Sequence, residues 1–213
     1  MITMHTVNLD KPKDLQIQTP KKNRVWLLIV LKLLLLLLAF NFLSFQLASS
    51  RTESGFTLST YRLGETAPAT MSSGFSLVYT VTGSDPMSQA VADALADALA
   101  ATEVGQATAV ANLDGVTGPA LLVTLDKQER LWTPVYGRAN LTAVVYYAYD
   151  GQAPWPLDEA VHLTESPAVK ADGEFTISDT TWGLLSRPGY QDHLAAALAQ
   201  AIAGGLQQDV FQP

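Results

Sequence analysis

The spacing of apolar and polar positions changes three times along this chain, and each pattern predicts a different kind of element. Residues 25–48 read VWLLIVLKLLLLLLAFNFLSFQLA, apolar on every side. A run of 24 residues exceeds the ~20 that span ~30 Å of hydrocarbon as a helix. It offers no polar face to water, which argues against a core helix. Residues 75–81 then alternate, with Phe75, Leu77, Tyr79 and Val81 on one face and Ser76 and Thr80 on the other, the pattern of a half-buried strand. After them the period lengthens to that of a helix: Met87, Val91, Leu95 and Leu99 recur every four residues, with Ala94 and Ala98 widening the stripe. Asp85-Pro86 supplies an N-cap and a first-turn proline, and Gly105 follows the helix end.

Alternation returns downstream. Residues 107–113 predict a weak strand, and 120–125 a stronger one with Leu121, Val123 and Leu125 on one face. Residues 131–136 extend it only to an edge or bulge, because Pro134 donates no backbone hydrogen bond. The clearest strand is 138–149, with Leu141, Ala143, Val145, Tyr147 and Tyr149 on one face. A short helical turn at 157–163 and a short strand at 174–178 follow. The last element is a helix over about 188–207, striped by Tyr190, Leu194, Leu198, Ile202 and Leu206.

The order is β-α-β-β-β-(β)-α. Helices with one apolar stripe each belong on one face of a mostly antiparallel sheet, which predicts an α+β two-layer sandwich behind a single N-terminal transmembrane helix. Over roughly 75–208 this order resembles that of small envelope domains such as those of lipopolysaccharide-assembly lipoproteins. The resemblance lies in element order and implies a fold alone, because the lipoprotein cysteine is absent.

The segments divide as a cytoplasmic tail at 1–24, a signal-anchor helix at 25–48, a flexible linker at 49–74 and an extracytoplasmic domain at 75–213. Lys21, Lys22 and Arg24 precede the apolar run, and Arg51 alone follows it closely. That asymmetry places the N-terminus in the cytoplasm and the C-terminal domain outside. Lys32, two turns into the run, snorkels back to the basic interface. The competing reading makes 33–43 the apolar core of a signal peptide cut near Ala48-Ser49-Ser50. In 52–74, 15 of 23 residues are Ser, Thr, Gly, Ala or Pro, the composition of a spacer with a reach of about 25 Å. The alternative to a spacer at residues 56–58 is a short edge strand. Gly55-Phe56-Thr57-Leu58 resembles the start of type IV pilins, but Ser59-Thr60-Tyr61-Arg62 follows where a pilin needs its apolar helix.

Charge changes the list of partners. Residues 1–47 carry a net +4 and residues 48–213 a net −11. A domain that acidic repels phosphate backbones, so nucleic acid is not an expected partner. There is no cysteine, which removes disulfides, thiolate metal sites and lipid attachment through sulfur.

Candidate chemistry is thin. Asp158, His162 and Glu165 stand at i, i+4 and i+7, a metal-like spacing, but one histidine and two carboxylates on a doubtful helix read as a solvated turn. Ser186, His193 and either Asp179 or Asp192 supply the residue types of a nucleophilic triad without a Gly-x-Ser-x-Gly elbow, and Ser186 before Arg187-Pro188 fits a helix cap. Asp93 and Asp97 read as surface solvation, and Asn140-Leu141-Thr142 fits a glycosylation acceptor. There is no phosphate loop and no dinucleotide fingerprint, so no catalytic residue, metal or cofactor is expected.

Trp132, Tyr136, Tyr146 and Trp155 cluster around the longest strand pair, and Trp182 opens an aromatic, Gly- and Pro-rich entry to the last helix. Half of these residues must pack inward. The rest form the candidate binding surface. The expectation is a membrane-anchored accessory protein of the cell envelope, not an enzyme, that meets lipid through its helix and a protein partner through its outer domain. The alternative is a sensor or ligand-binding domain that uses an aromatic sheet face. An enzyme would need His162 or His193 to meet a carboxylate and a nucleophile in one cleft.

Overall fold

The computed structural model describes residues 22–42, 48–62, 74–102, 104–149 and 169–211. The chain divides into two units, Met1–Ala39 and Phe40–Pro213.

The apolar run forms helix α1, Lys22–Phe42, all but its last three residues in the first unit. The described side chains of this helix, at 25–36 and 38, are all exposed, Lys32 among them. Among the described residues no helix is long and apolar enough to cross a membrane.

The second unit is an α+β fold around a mixed six-stranded sheet. Its elements are β1 (Ala48–Arg62), β2 (Phe75–Thr82), α2 (Pro86–Ala100), β3 (Val104–Ala109), β4 (Ala120–Thr133), β5 (Tyr136–Ala148), β6 (Val169–Gly183) and α3 (Arg187–Leu206), closed by a π-helical turn at Gln207–Phe211. The strand order is β1-β6-β5-β4-β2-β3. Pairing is antiparallel from β1 through β4, whereas β2 is parallel to both of its neighbours, β3 and β4. The sheet is therefore mixed rather than mostly antiparallel. The β2-α2-β3 crossover is the helical connection that a parallel pair requires.

The spacer expected at 49–74 divides differently. Residues 48–62 are β1, paired along their length with β6 from Ala48 opposite Gly183 to Arg62 opposite Val169, and residues 63–73 lie outside the described ones. Phe56 stacks on Phe175 at 5.4 Å, so the edge strand is pinned by packing as well as by backbone pairing. Thr133 to Tyr136 makes the tight turn between β4 and β5. Pro134 sits in the turn itself, where it interrupts no ladder.

Both stripes read from the sequence are buried. In α2, Met87, Val91, Leu95 and Leu99 are inaccessible, as are Tyr190, Leu194, Leu198, Ile202 and Leu206 in α3. They share one core with Leu77, Tyr79, Leu121, Val123, Leu141, Val145, Tyr147 and Phe175 of the sheet. Each fully buried leucine contributes ~1.5–3 kcal/mol relative to exposure. Asp85 caps α2, accepting from the Met87 amide at 2.9 Å and the Ser88 amide at 3.4 Å. Burial, caps and hydrogen bonds together fix where α2 and α3 start, and those starts shape the site.

Candidate functional site

Alternation decides which side chains the sheet turns toward the helices. On β6, Phe175, Ile177, Asp179 and Thr181 are buried, and Thr176, Ser178 and Trp182 between them are exposed. A carboxylate thus occupies a core-facing position, and Asp179 is 0% exposed. It survives there because three elements supply donors. Thr52 of β1 donates to its Oδ1 at 2.7 Å, Thr181 to its Oδ2 at 2.7 Å, and His193 Nε2 of α3 lies 3.0 Å from Oδ1. Burial pushes the Asp179 pKa up, but the hydrogen bonds from His193, Thr52 and Thr181 and the proximity of His193 outweigh it and leave the group below the usual carboxylate range.

This cluster uses two of the four residues considered for a nucleophilic triad, and its geometry is not a relay. A relay needs one imidazole nitrogen on the nucleophile and the other on the carboxylate. Here Thr52 Oγ1, at 3.3 Å, and Asp179 both face Nε2, and the Thr52 proton already goes to the carboxylate. Ser186 is buried and caps α3, accepting from the Gly189 amide at 3.1 Å. Asp192 is exposed. The arrangement ties β1, β6 and α3 together.

Next to it the Tyr190 ring covers Gly137, where an added Cβ would lie 2.5 Å from the ring. The Tyr190 hydroxyl is buried beside Asp179 without reaching hydrogen-bond geometry. Burial, then the negative Asp179, drive its pKa upward. Tyr190 also forms one wall of a cavity of about 440 Å³, whose other lining includes Met87, Arg130, Trp132 and Arg187.

The expected aromatic surface is dispersed. Trp132 lies opposite Gly137 and packs against the core, its indole N–H buried without an acceptor among the described residues. Tyr136 and Trp182 are directly paired across β5 and β6 with ring centroids 4.3 Å apart on the face away from the helices. Tyr146 is on that same face, ten residues along β5, roughly 33 Å away, where it packs on Leu113, Ala120 and Leu122 under the 110–119 loop. Trp155 lies outside the described residues, as do Asp158, His162 and Glu165. So does Lys21; Lys22 and Arg24 are in α1, their side chains not described. Among the described residues no group of His, Asp or Glu stands ready to hold a metal ion. Asn140 of the glycosylation motif accepts from Ser178 at 3.0 Å.

Sequence reasoning missed Asp179 as the centre of a cluster and missed Thr52 and Arg130 altogether. One signal was present: an aspartate in phase with Phe175 and Ile177 on an alternating strand.

No protein-family model matches the chain, and no curated protein matches its sequence. Among solved structures, it is similar to a PelC dodecamer from Paraburkholderia phytofirmans, at 12% identity and a TM-score of 0.42 over 72% of this chain and 98% of that one. A variant PelC dodecamer from the same organism gives 11% identity and 0.39 over the same shares. Similarity that distant carries no argument about activity. The fold and site define an α+β domain with a mixed sheet and a buried Asp179 paired with a partly exposed His193.

Proposed function

We propose that this protein is a membrane-anchored, extracytoplasmic accessory protein that works through protein contacts and not through catalysis. The observation that carries the proposal is the apolar face of α1. Val25, Trp26, Leu27, Leu28, Ile29, Val30 and Leu31, then Leu33 to Leu36, are all exposed. Water disfavours so many uncovered large apolar groups around one helix, and lipid accepts them. Basic residues gather at its N-terminal end alone, which favours an outward C-terminal unit.

The contact function rests on the sheet. Its face away from the helices carries Thr142, Thr176 and Ser178, and β1 offers a 15-residue edge whose outward backbone groups have no partner strand among the described residues. Alkaline extraction of native membranes, followed by protease treatment of intact cells, tests the anchor. The full chain should stay in the pellet and its C-terminal unit should be cut from outside. Recovery in the alkaline supernatant would refute it. Crosslinking from those membranes should then recover a protein partner.

A second reading, ligand binding, is favoured by the Trp132 cavity, whose volume lies in the range of small-molecule sites. If purified full-length protein retains a small molecule and crosslinks to nothing, that reading replaces the first.

A further inference from the structure

We infer that one end of the outer unit, built from the β4–β5 turn and the β6–α3 connection, docks on the anionic surface of the same membrane that holds α1; this rests on the anchor proposed above. Four large apolar side chains meet there in the open. Val135 is 58% exposed and Trp182 61%, with Leu131 and Leu184 beside them. The backbone joins the two segments directly: the Gly183 amide donates to the Val135 carbonyl at 3.2 Å and the Leu185 amide to that of Pro134 at 2.9 Å. Exposed leucines scattered singly need no explanation, but a cluster of them with a tryptophan on two braced turns does.

Charge selects lipid over a bare apolar partner. The outer unit is acidic overall, yet no Asp or Glu occurs between 130 and 149 or between 180 and 191. Arg130 and Arg187 flank the apolar group and have no ion-pair partner among the described residues. Both line the cavity behind it, beneath Trp132. Tryptophan and leucine at the headgroup level with arginine on phosphate is the chemistry of an interfacial contact. The remaining acidity keeps the rest of the unit off the same surface.

Connectivity supplies the occupant. β1 begins at this end, with Ser49 opposite Trp182. Only residues 43–47 separate the last residue of α1 from the first of β1. Such a segment reaches no more than roughly 20 Å even when fully extended. A surface on the far end of the unit would have no such constraint.

The chain has no cysteine, so one introduced cysteine gives a single labelling site. Full-length Val135→Cys and, as control, Thr108→Cys on β3 would carry an environment-sensitive fluorophore in proteoliposomes of phosphatidylcholine with or without phosphatidylglycerol. Lipids bearing a nitroxide near the headgroup should quench the label at 135, at a depth of roughly 5–10 Å, and leave the label at 108 unchanged. Arg130→Gln and Arg187→Gln should each lower the docked-to-undocked ratio about fivefold in the anionic vesicles only. Equal quenching at 135 and 108 in vesicles that resist alkaline extraction overturns the docking and leaves the anchor standing. A label at 135 that is shielded from water but not quenched by lipid assigns the patch to a second copy of the chain, and also overturns it. Release of the protein by alkali overturns the anchor and the docking together.

Discussion

Replacing Asp179 by alanine should be among the most damaging single changes in the second unit, and the structure gives the size of the effect. The carboxylate is fully buried and accepts from Thr52 and Thr181 at 2.7 Å each and from His193 at 3.0 Å. Hydrogen bonds to a charged group are each worth ~1.5–3 kcal/mol net, and they do not add. Removing the acceptor also strands the buried Thr181 hydroxyl. His193 is partly exposed, so its share is the most screened by solvent. Loss of one partner from a buried charged network typically costs ~3–5 kcal/mol. At ~2–4 °C per kcal/mol for a unit of this size, the melting temperature of the full chain in detergent, followed by circular dichroism, should fall by roughly 6–20 °C. Asp179→Asn keeps the shape and one acceptor oxygen but points an NH₂ at existing donors, so it should fall between alanine and the native residue.

The pH dependence follows from the direction of the shift. The folded pKa of Asp179 is below its unfolded value near 3.9. Its stabilisation is therefore complete above about pH 4 and is lost as pH falls through the lower, folded value. The gap between the native protein and Asp179→Asn should close as pH falls through that folded value. If Asp179→Ala melts within about 2 °C of the native protein, or if the gap persists at low pH, the carboxylate is not what holds β1, β6 and α3 together.

Other sites give sharper local tests. Gly137→Ala drives a Cβ to 2.5 Å from the Tyr190 ring and should cost ~1–3 kcal/mol, seen as a lower urea midpoint at an unchanged slope. Tyr190→Phe removes a buried hydroxyl that makes no close hydrogen bond among the described residues, so the same assay should find the variant as stable as the native chain or more so; a loss would mean the hydroxyl is bonded to Asp179. Asp85→Ala deletes the α2 cap and should cost about 1 kcal/mol, with faster amide exchange in the first turn of α2. Leu95→Ala empties a fully buried site in α2 and should cost ~2–5 kcal/mol by urea unfolding.

What could be read in advance depended on where the information sits. The α2 and α3 stripes, Asp85 and Ser186 were legible because period and capping are local: each residue's role is set within one or two turns of its own helix. β1 was not legible, because its neighbours in sequence do not make it a strand. Its core-facing positions are Thr52, Ser54, Phe56, Leu58 and Thr60, mostly small or polar, and they read as a spacer until β6 is set beside them more than 100 residues downstream. The Asp179 cluster has the same origin, since its four residues come from β1, β6 and α3, and an isolated aspartate on a strand does not announce its donors.

Strand direction lay between these cases. A helix of 15 residues between β2 and β3 suits a parallel pairing, because no tight turn intervenes, but the apolar stripes of the helices alone point to a mostly antiparallel sheet. The same rule says nothing of β4, which enters on the other side of β2 after the 110–119 loop. That loop is held by burying Leu113 against Ala120 and Leu122 on the face away from the helices. In sequence the loop shows only Val110, Leu113 and Val116 among small and polar residues. In the fold it lets β4 align parallel to β2 and carry Arg130 and Trp132 to the far end of the sheet. Leu113 is the most buried of the loop's apolar residues, with Val110 and Val116 packed beside it: Leu113→Asp should loosen the loop, raise amide exchange in β4 near Ala120, and leave the β5–β6 pairing protected, whereas uniform loss of protection across the sheet would show that the loop does not act locally.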